Sequence, residues 1–480
     1  MWNKGNLLRI VLFGIVIALF GITPNSKMVT AGLKKAQIAQ NLHQPGQVAD
    51  NLATVAEQQP WRSGIWEAAG DAAIAADDAQ KADVYYGRAA TDGELSPAGY
   101  LAWGDANWQA GNSHKALQIW DIAERLGVSQ EQTLERKAAV YRLQGEDMSL
   151  IDTLGSILLL PSTANQQPSD LSILNHELGL LLAAYDPFQA PTYLSRALEY
   201  NPALKPQISS VNYEIQQDLS NDDPGYLLVI SGRALANQGH WDLAEKAFEN
   251  AVEQDPEYAE AWAYLGEARQ HTETGNDPLA ALEKAWELDP NSISANTFLA
   301  LYWQRKDEYE IALEFFQAAA NHDPENPAYM VEIGKITALL GDLEAGKEYY
   351  WQAILQSSND SRYVREFLKF TLQYNLDLRE VALPLARQLV ILNPSDPASL
   401  DIMGEILVHL GDMLNGERFF LRALAQDMEN DYAHLHLGDL YRSQTKYNQA
   451  KYHYGRVLET STNAQIIARA QNALESNFSP

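Results

Sequence analysis

The chain has no cysteine in 480 residues. That removes a disulfide framework, a thiolate zinc site, a cysteine nucleophile and a lipid-modified cysteine anchor together, without fixing the compartment. Basic residues are scarce as well: 35 Lys and Arg face 63 Asp and Glu, for a formal charge of −28. Such a surface repels phosphates and has no basic stripe, which excludes nucleic acid as a partner. The acidity keeps a long molecule soluble. The sequence contains no GxxxxGK[ST], no HExxH, no GxSxG and no dinucleotide-type glycine loop after a strand. It therefore reads as non-catalytic, with no cofactor and no metal expected.

Long apolar runs are rare too. In MWNKGNLLRIVLFGIVIALFGITPNS (1–26) the uninterrupted apolar core is Ile10–Ile22, and extending it over residues 7–23 takes in Arg9. This is short of the roughly 20 residues of a membrane span, although Arg9 can snorkel to the interface. We expect an N-terminal transmembrane anchor with the repeats outside the cytoplasm. The competing expectation is a signal peptide, cleaved near Val29-Thr30-Ala31, and a secreted product.

What is present is a repeat. In ISANTFLALYWQRKDEYEIALEFFQAAANHDPEN (293–326), Phe298, Leu299, Tyr302 and Trp303 recur at helical spacing, and Ile311, Phe315 and Phe316 do so again after a tight turn. Ala312 and Ala319 are small where two helices would cross, and Pro324 ends the unit. One such hairpin cannot bury its apolar face alone. The pattern returns every 34 residues: Gly232, Gly266, Gly334, Gly404 and Gly438 share one place in successive units, as do Gly70 and Gly104 earlier. Pro256, Pro290 and Pro324 are also 34 apart.

A 34-residue period of paired helices resembles the tetratricopeptide repeat, and GYLLVISGRALANQGHWDLAEKAFENAVEQDP (225–256) carries the resemblance most fully. Gly232 stands at the close helix contact, Gly239 at the turn, Ala244, Phe248 and Ala251 on the second helix, and Pro256 at the end. The resemblance implies an all-α, right-handed solenoid of about 12 hairpins. We expect an N-terminal array over 31–204, a linker over 205–224 with a short helix near Tyr213–Gln217, a C-terminal array over 225–464, and a capping helix and tail over 465–480. The unit 131–161 places Leu150 and Ile157 where smaller residues are usual. Two later units also depart from the pattern. In 259–292 the turn glycine moves to Gly275 and Pro278 takes the small crossing position; in 363–396 Phe370 stands where glycine or alanine belongs.

In the family the first helix of each hairpin lines a concave groove. Carried over by register, that places Tyr226, Arg233, Asn237, Gln270, His271, Thr297, Gln304, Arg305 and Lys335 on the groove face, a set of hydrogen-bond donors in an acidic chain. The implied partner is an extended protein or peptide segment, and the implied role a membrane-tethered scaffold, for instance in cell-envelope assembly. A carboxylate clamp of the kind that holds chaperone tails is absent, because Glu67/Asp71, Leu101/Asp105, Ala263/Glu267 and Asp401/Glu405 occupy its positions. The alternatives are a polysaccharide-binding or export scaffold, with a sugar stacked on residues such as Trp108, and the repeat region of a glycosyl transferase. His434, His436 and Asp439 come nearest to a metal cluster. Histidines two apart on a helix point to different faces, and His434 falls at a core position.

Overall fold

The computed structural model describes residues 26–59, 62–161, 166–220, 223–272 and 275–476. Residues 1–25, which contain the expected anchor, lie outside the described residues, and among those described no helix is long and apolar enough to cross a membrane. The described residues form helices and no strand. The helices pair into twelve hairpins, with one further helix at Lys205–Asp218 and a last one at Ala464–Ser476. Two compact units result, residues 1–216 and 217–480, holding five and seven hairpins respectively.

Each hairpin is built around one crossing. A glycine or alanine on the first helix receives the side chain that follows it by about sixteen residues. A Cβ on Gly232 would lie 2.5 Å from the Phe248 ring, and one on Gly104 2.2 Å from the Trp120 indole. Gly70 meets Tyr86, Gly404 meets Phe420 and Gly438 meets Tyr454 in the same way. Trp120, Tyr86, Tyr454, Phe248 and Phe420 are among the largest fully buried side chains. Close packing leaves no room for even one extra methyl group at such a contact.

The turns follow an equally strict rule. Gly111, Gly239, Gly341 and Gly411 have φ of +81°, +83°, +101° and +88°, and Asp307 and Thr445 adopt the same left-handed conformation at the equivalent place. The next amide then closes on a carbonyl five residues back, as from His240 to Leu235 and from Lys446 to Tyr441, which satisfies the end of the first helix. The start of the first helix is capped from the side chain before it. Asp223, Asn326, Asp396 and Ser96 accept from backbone amides, each followed by a proline whose missing N–H costs nothing there.

The irregular units resolve into compensations. In 259–292, Pro278 opens the second helix under an Asp277 cap, so the helix begins late and the crossing falls to Gly266 against Leu282. The buried Glu245 carboxylate accepts from Thr272 Oγ1 (2.6 Å) and Asn276 Nδ2 (3.0 Å), tying down the loop that replaces the usual turn. In 363–396 the sizes are exchanged: Phe370 is the large member, and Ala386, sixteen residues on, is fully buried in the same cluster. A π-helical turn at Leu378–Ala382 precedes that second helix. Residues 205–218 form a full helix, longer than the sequence suggests, with Ile208, Val211 and Ile215 buried along one side.

The crossing can be tested against an internal control. Gly438→Ala places its methyl 2.6 Å from Tyr454 Cε1, a ring held by its hydroxyl on Asp439 (2.5 Å), whereas a methyl on helical Gly455 meets nothing within 4 Å. Urea denaturation is expected to show Gly438→Ala less stable by about 1–3 kcal/mol. Gly455→Ala should be more stable by roughly 0.5–1 kcal/mol, the helix-propensity gain alone. Equal effects of one sign would show that the crossing is not the constraint.

Candidate functional site

Within 217–480 the first helices of neighbouring hairpins touch one another as well as their own partners: Pro224–Asn237 contacts Ala259–Arg269, which contacts Ile293–Arg305. They form a continuous face, and the nine residues singled out from the sequence lie along this row of hairpins. The structure gathers five of them into two clusters and leaves four outside.

The first cluster centres on Glu267, a carboxylate that is itself buried. The Arg305 guanidinium donates to both its oxygens, at 2.8 and 3.0 Å, from the next hairpin. Gln270 Nε2 donates to it at 2.8 Å while the Gln270 carbonyl accepts from Arg305 at 2.6 Å. His271 Nε2 lies 3.1 Å from the same carboxylate, and its ring stacks on Trp241 with centroids 3.8 Å apart. The second cluster centres on Glu332, which accepts from Gln304 (3.3 Å) and Lys335 (3.4 Å). Outside both, Thr297 shares a 3.0 Å hydrogen bond with the Tyr329 hydroxyl, Tyr226 is half-buried, and Asn237 is exposed. Arg233 is exposed too, with its guanidinium 5.3 Å from the centre of the Tyr264 ring. The set expected as open donors is therefore largely satisfied from within. The missed residues are the acceptors: Glu267, whose signal is a cation about one period later, and Glu332, whose cation Lys335 lies three residues on along its own helix.

That signal recurs. Lys81 meets Asp50 (2.8 Å), Lys115 meets Asp83 (2.5 Å), Arg136 meets Asp105 (2.7 Å), and farther along Arg365 meets Asp396 (3.0 Å) and Arg469 meets Asp439 (2.6 Å). Each pair joins residues about one period apart in successive units, the last of them reaching the closing helix. Trp108, the expected sugar platform, packs edge-on against the buried Trp120. The exposed Trp286 and Trp351 stand on second helices, away from the first-helix face.

The two histidines of 431–443 do point apart, and each finds a partner the sequence did not signal. His436 Nδ1 lies 2.9 Å from Asp401 and its Nε2 3.8 Å from Glu405, both in the preceding hairpin. Burial disfavours the charged ring, but the Asp401 carboxylate with Glu405 behind it overrides this and raises its pKa to about 9. His434 Nε2 lies 3.1 Å from the Met428 carbonyl, which can only accept, so that nitrogen carries the hydrogen. In the neutral ring His434 Nδ1 is then an acceptor, and His453 Nδ1 donates to it at 2.8 Å. The pair lines an open cleft of about 930 Å³ with Leu421, Met428, Tyr452 and Arg456.

Residues 231–293 match the family model described as tetratricopeptide repeat. That stretch is similar to the tetratricopeptide repeat. The peroxisomal targeting signal receptor of Komagataella phaffii is 39% identical over 89 residues, which is 18% of this chain and 15% of the relative. The corresponding receptor of Pichia angusta is 36% identical over 90 residues, again 15% of its length. This repeat chain thus spans less than a fifth of the curated relatives it matches. Among solved structures, yeast Tom70 aligns over 94% of this chain and 96% of its own, at 14% identity and a TM-score of 0.42.

The buried histidine pair carries a pH dependence. Burial, and next the charge of His434 beside it, depress His453 to about 4, below the roughly 6.5 of an exposed ring. The unfolded chain binds that proton more tightly, so this contribution to stability is complete above about pH 6.5 and is lost as the pH falls toward 4. Tyr441, Tyr452, Lys451 and Arg456 surround the pair, with Asp427 and Asp431 acting on His434. His453→Gln keeps a donor for His434 but does not titrate. Its melting temperature is expected to fall less than that of the parent chain between pH 7 and 4.5. Parallel curves would refute the assignment.

Proposed function

We propose that this chain is a non-catalytic scaffold that holds an extended segment of another protein along the first-helix face of residues 225–341. In the same reading residues 7–23 tether it to a membrane with the repeats outside the cytoplasm, as a platform for cell-envelope assembly. The observation that carries the binding role is the first-helix face itself. It is continuous across hairpins and presents Arg233, Asn237, His271, Arg305 and Lys335 as exposed side chains at successive register positions. An extended segment suits such a face because its side chains can be read one repeat at a time. The shared 89-residue stretch adds support: the relatives are, by name, receptors for a targeting signal. The tether rests on the apolar run and Arg9 alone.

Arg305 is a poor residue for testing this, because reversing its charge would set two carboxylates against each other at the buried Glu267. Arg233 and Lys335 are better. A photo-crosslinking side chain at Asn237, in the full chain and in its own cells, is expected to capture a second protein. The same group at Leu355, exposed on a second helix, should not. Adding Arg233→Glu with Lys335→Glu should reduce the Asn237 adduct several-fold. Equal labelling from both positions, or an adduct indifferent to the charge reversals, would overturn the reading. Recovery of glycan alone would replace protein with polysaccharide as the ligand.

A further inference from the structure

Asp401 and Glu405 lie four residues apart, on one face of the helix Pro397–His409. His436, on the first helix of the next hairpin, faces both. One donor atom from each of the three lies within 4.8 Å of the others. The side chains of Asp401 and His436 are 7% and 9% exposed, and that of Glu405 is 25% exposed, so the cluster is walled on one side and open on the other. With two carboxylates and one imidazole it is negatively charged whichever protonation state the ring takes. The nearby cation, Arg469, is held away by Asp439 at 2.6 Å. A buried negative cluster is costly unless a positive charge joins it.

We propose that Asp401, Glu405 and His436 form a binding site for a divalent transition-metal ion, zinc foremost, that joins two successive hairpins. Imidazole nitrogen with carboxylate oxygens suits zinc and its first-row neighbours, and three protein ligands leave a position open for water or an incoming group. Metal–ligand bonds of about 2.0–2.2 Å place two ligands at most about 4.4 Å apart, so closure by roughly half an ångström is enough. The separation of 3.8 Å between His436 Nε2 and Glu405, too long for a hydrogen bond, already falls within that span. The ion takes the place of the ring proton. The absence of cysteine bears only on thiolate sites, and the sequence hides this one because its ligands come from two hairpins.

The test uses the whole chain after treatment with a chelator. Calorimetric titration with Zn²⁺ is expected to show one strong site per chain, and Co²⁺ should give the visible absorption of a low-coordinate site. Glu405→Gln, at the most exposed ligand, should weaken the strong site at least tenfold without altering helical content, and His436→Gln should remove the Co²⁺ spectrum. A protein this acidic will also hold Zn²⁺ weakly elsewhere, and the variants separate the two cases. Identical titrations for parent and Glu405→Gln, or no strong site at all, would overturn the proposal and leave the cluster as an ion pair between repeats. Neither outcome bears on the crosslinking at Asn237, which probes a different part of the row.

Discussion

Everything in this molecule depends on how closely two helices can approach. At Gly70, Gly104, Gly232, Gly404 and Gly438 the first helix carries no side chain, and the aromatic residue sixteen positions later fills the space. The contact fixes the axial register of the hairpin, because the ring fits at one place along the backbone and no other. Register within a hairpin in turn fixes where the next one stacks. The exchange at Phe370 and Ala386 shows what is being held constant, since their summed volume is kept while the positions of large and small are reversed. A core tolerates such swaps when total volume is preserved.

The constancy of the period has an electrostatic consequence. Residues one period apart become neighbours on adjacent helices, so a carboxylate in one repeat and a cation about one period away are brought together whatever the sequence between them. In a chain with far more acids than bases, Lys81, Lys115, Arg136, Arg305 and Arg469 are used in this way. Exposed pairs of this kind contribute about 0–1 kcal/mol each. Their role is better understood as choice of neighbour than as stability. Glu267 is the exception, because its buried carboxylate would be costly without Arg305, Gln270 and His271 around it.

Most of the fold can be read from the sequence for the same reason. The small residues at crossings and the closing prolines are visible within a single hairpin, the glycine period across successive ones, and together they yield twelve hairpins and a closing helix among the described residues. The helix at Lys205–Asp218 is less legible, because its apolar residues Ile208, Val211 and Ile215 sit among serines and glutamines and belong to no repeat. Pro278 misleads for a different reason. It breaks the small-residue pattern in sequence, whereas in space it simply starts the helix one turn late and leaves the regular crossing of Gly266 with Leu282 in place.

The binding face is harder to read than the fold because register says which residues share a face, not what they do there. Register groups Gln270, His271 and Arg305, yet what unites them is Glu267, whose place in the register speaks only against one particular clamp. Likewise His436 faces Asp401, thirty-five residues earlier, rather than His434, two residues away. In a solenoid the chemically meaningful distance along the chain is one period plus or minus a helical turn. Reading acids and histidines modulo 34 would have exposed both clusters. A hairpin-by-hairpin search for motifs could not, since each hairpin holds only part of either cluster.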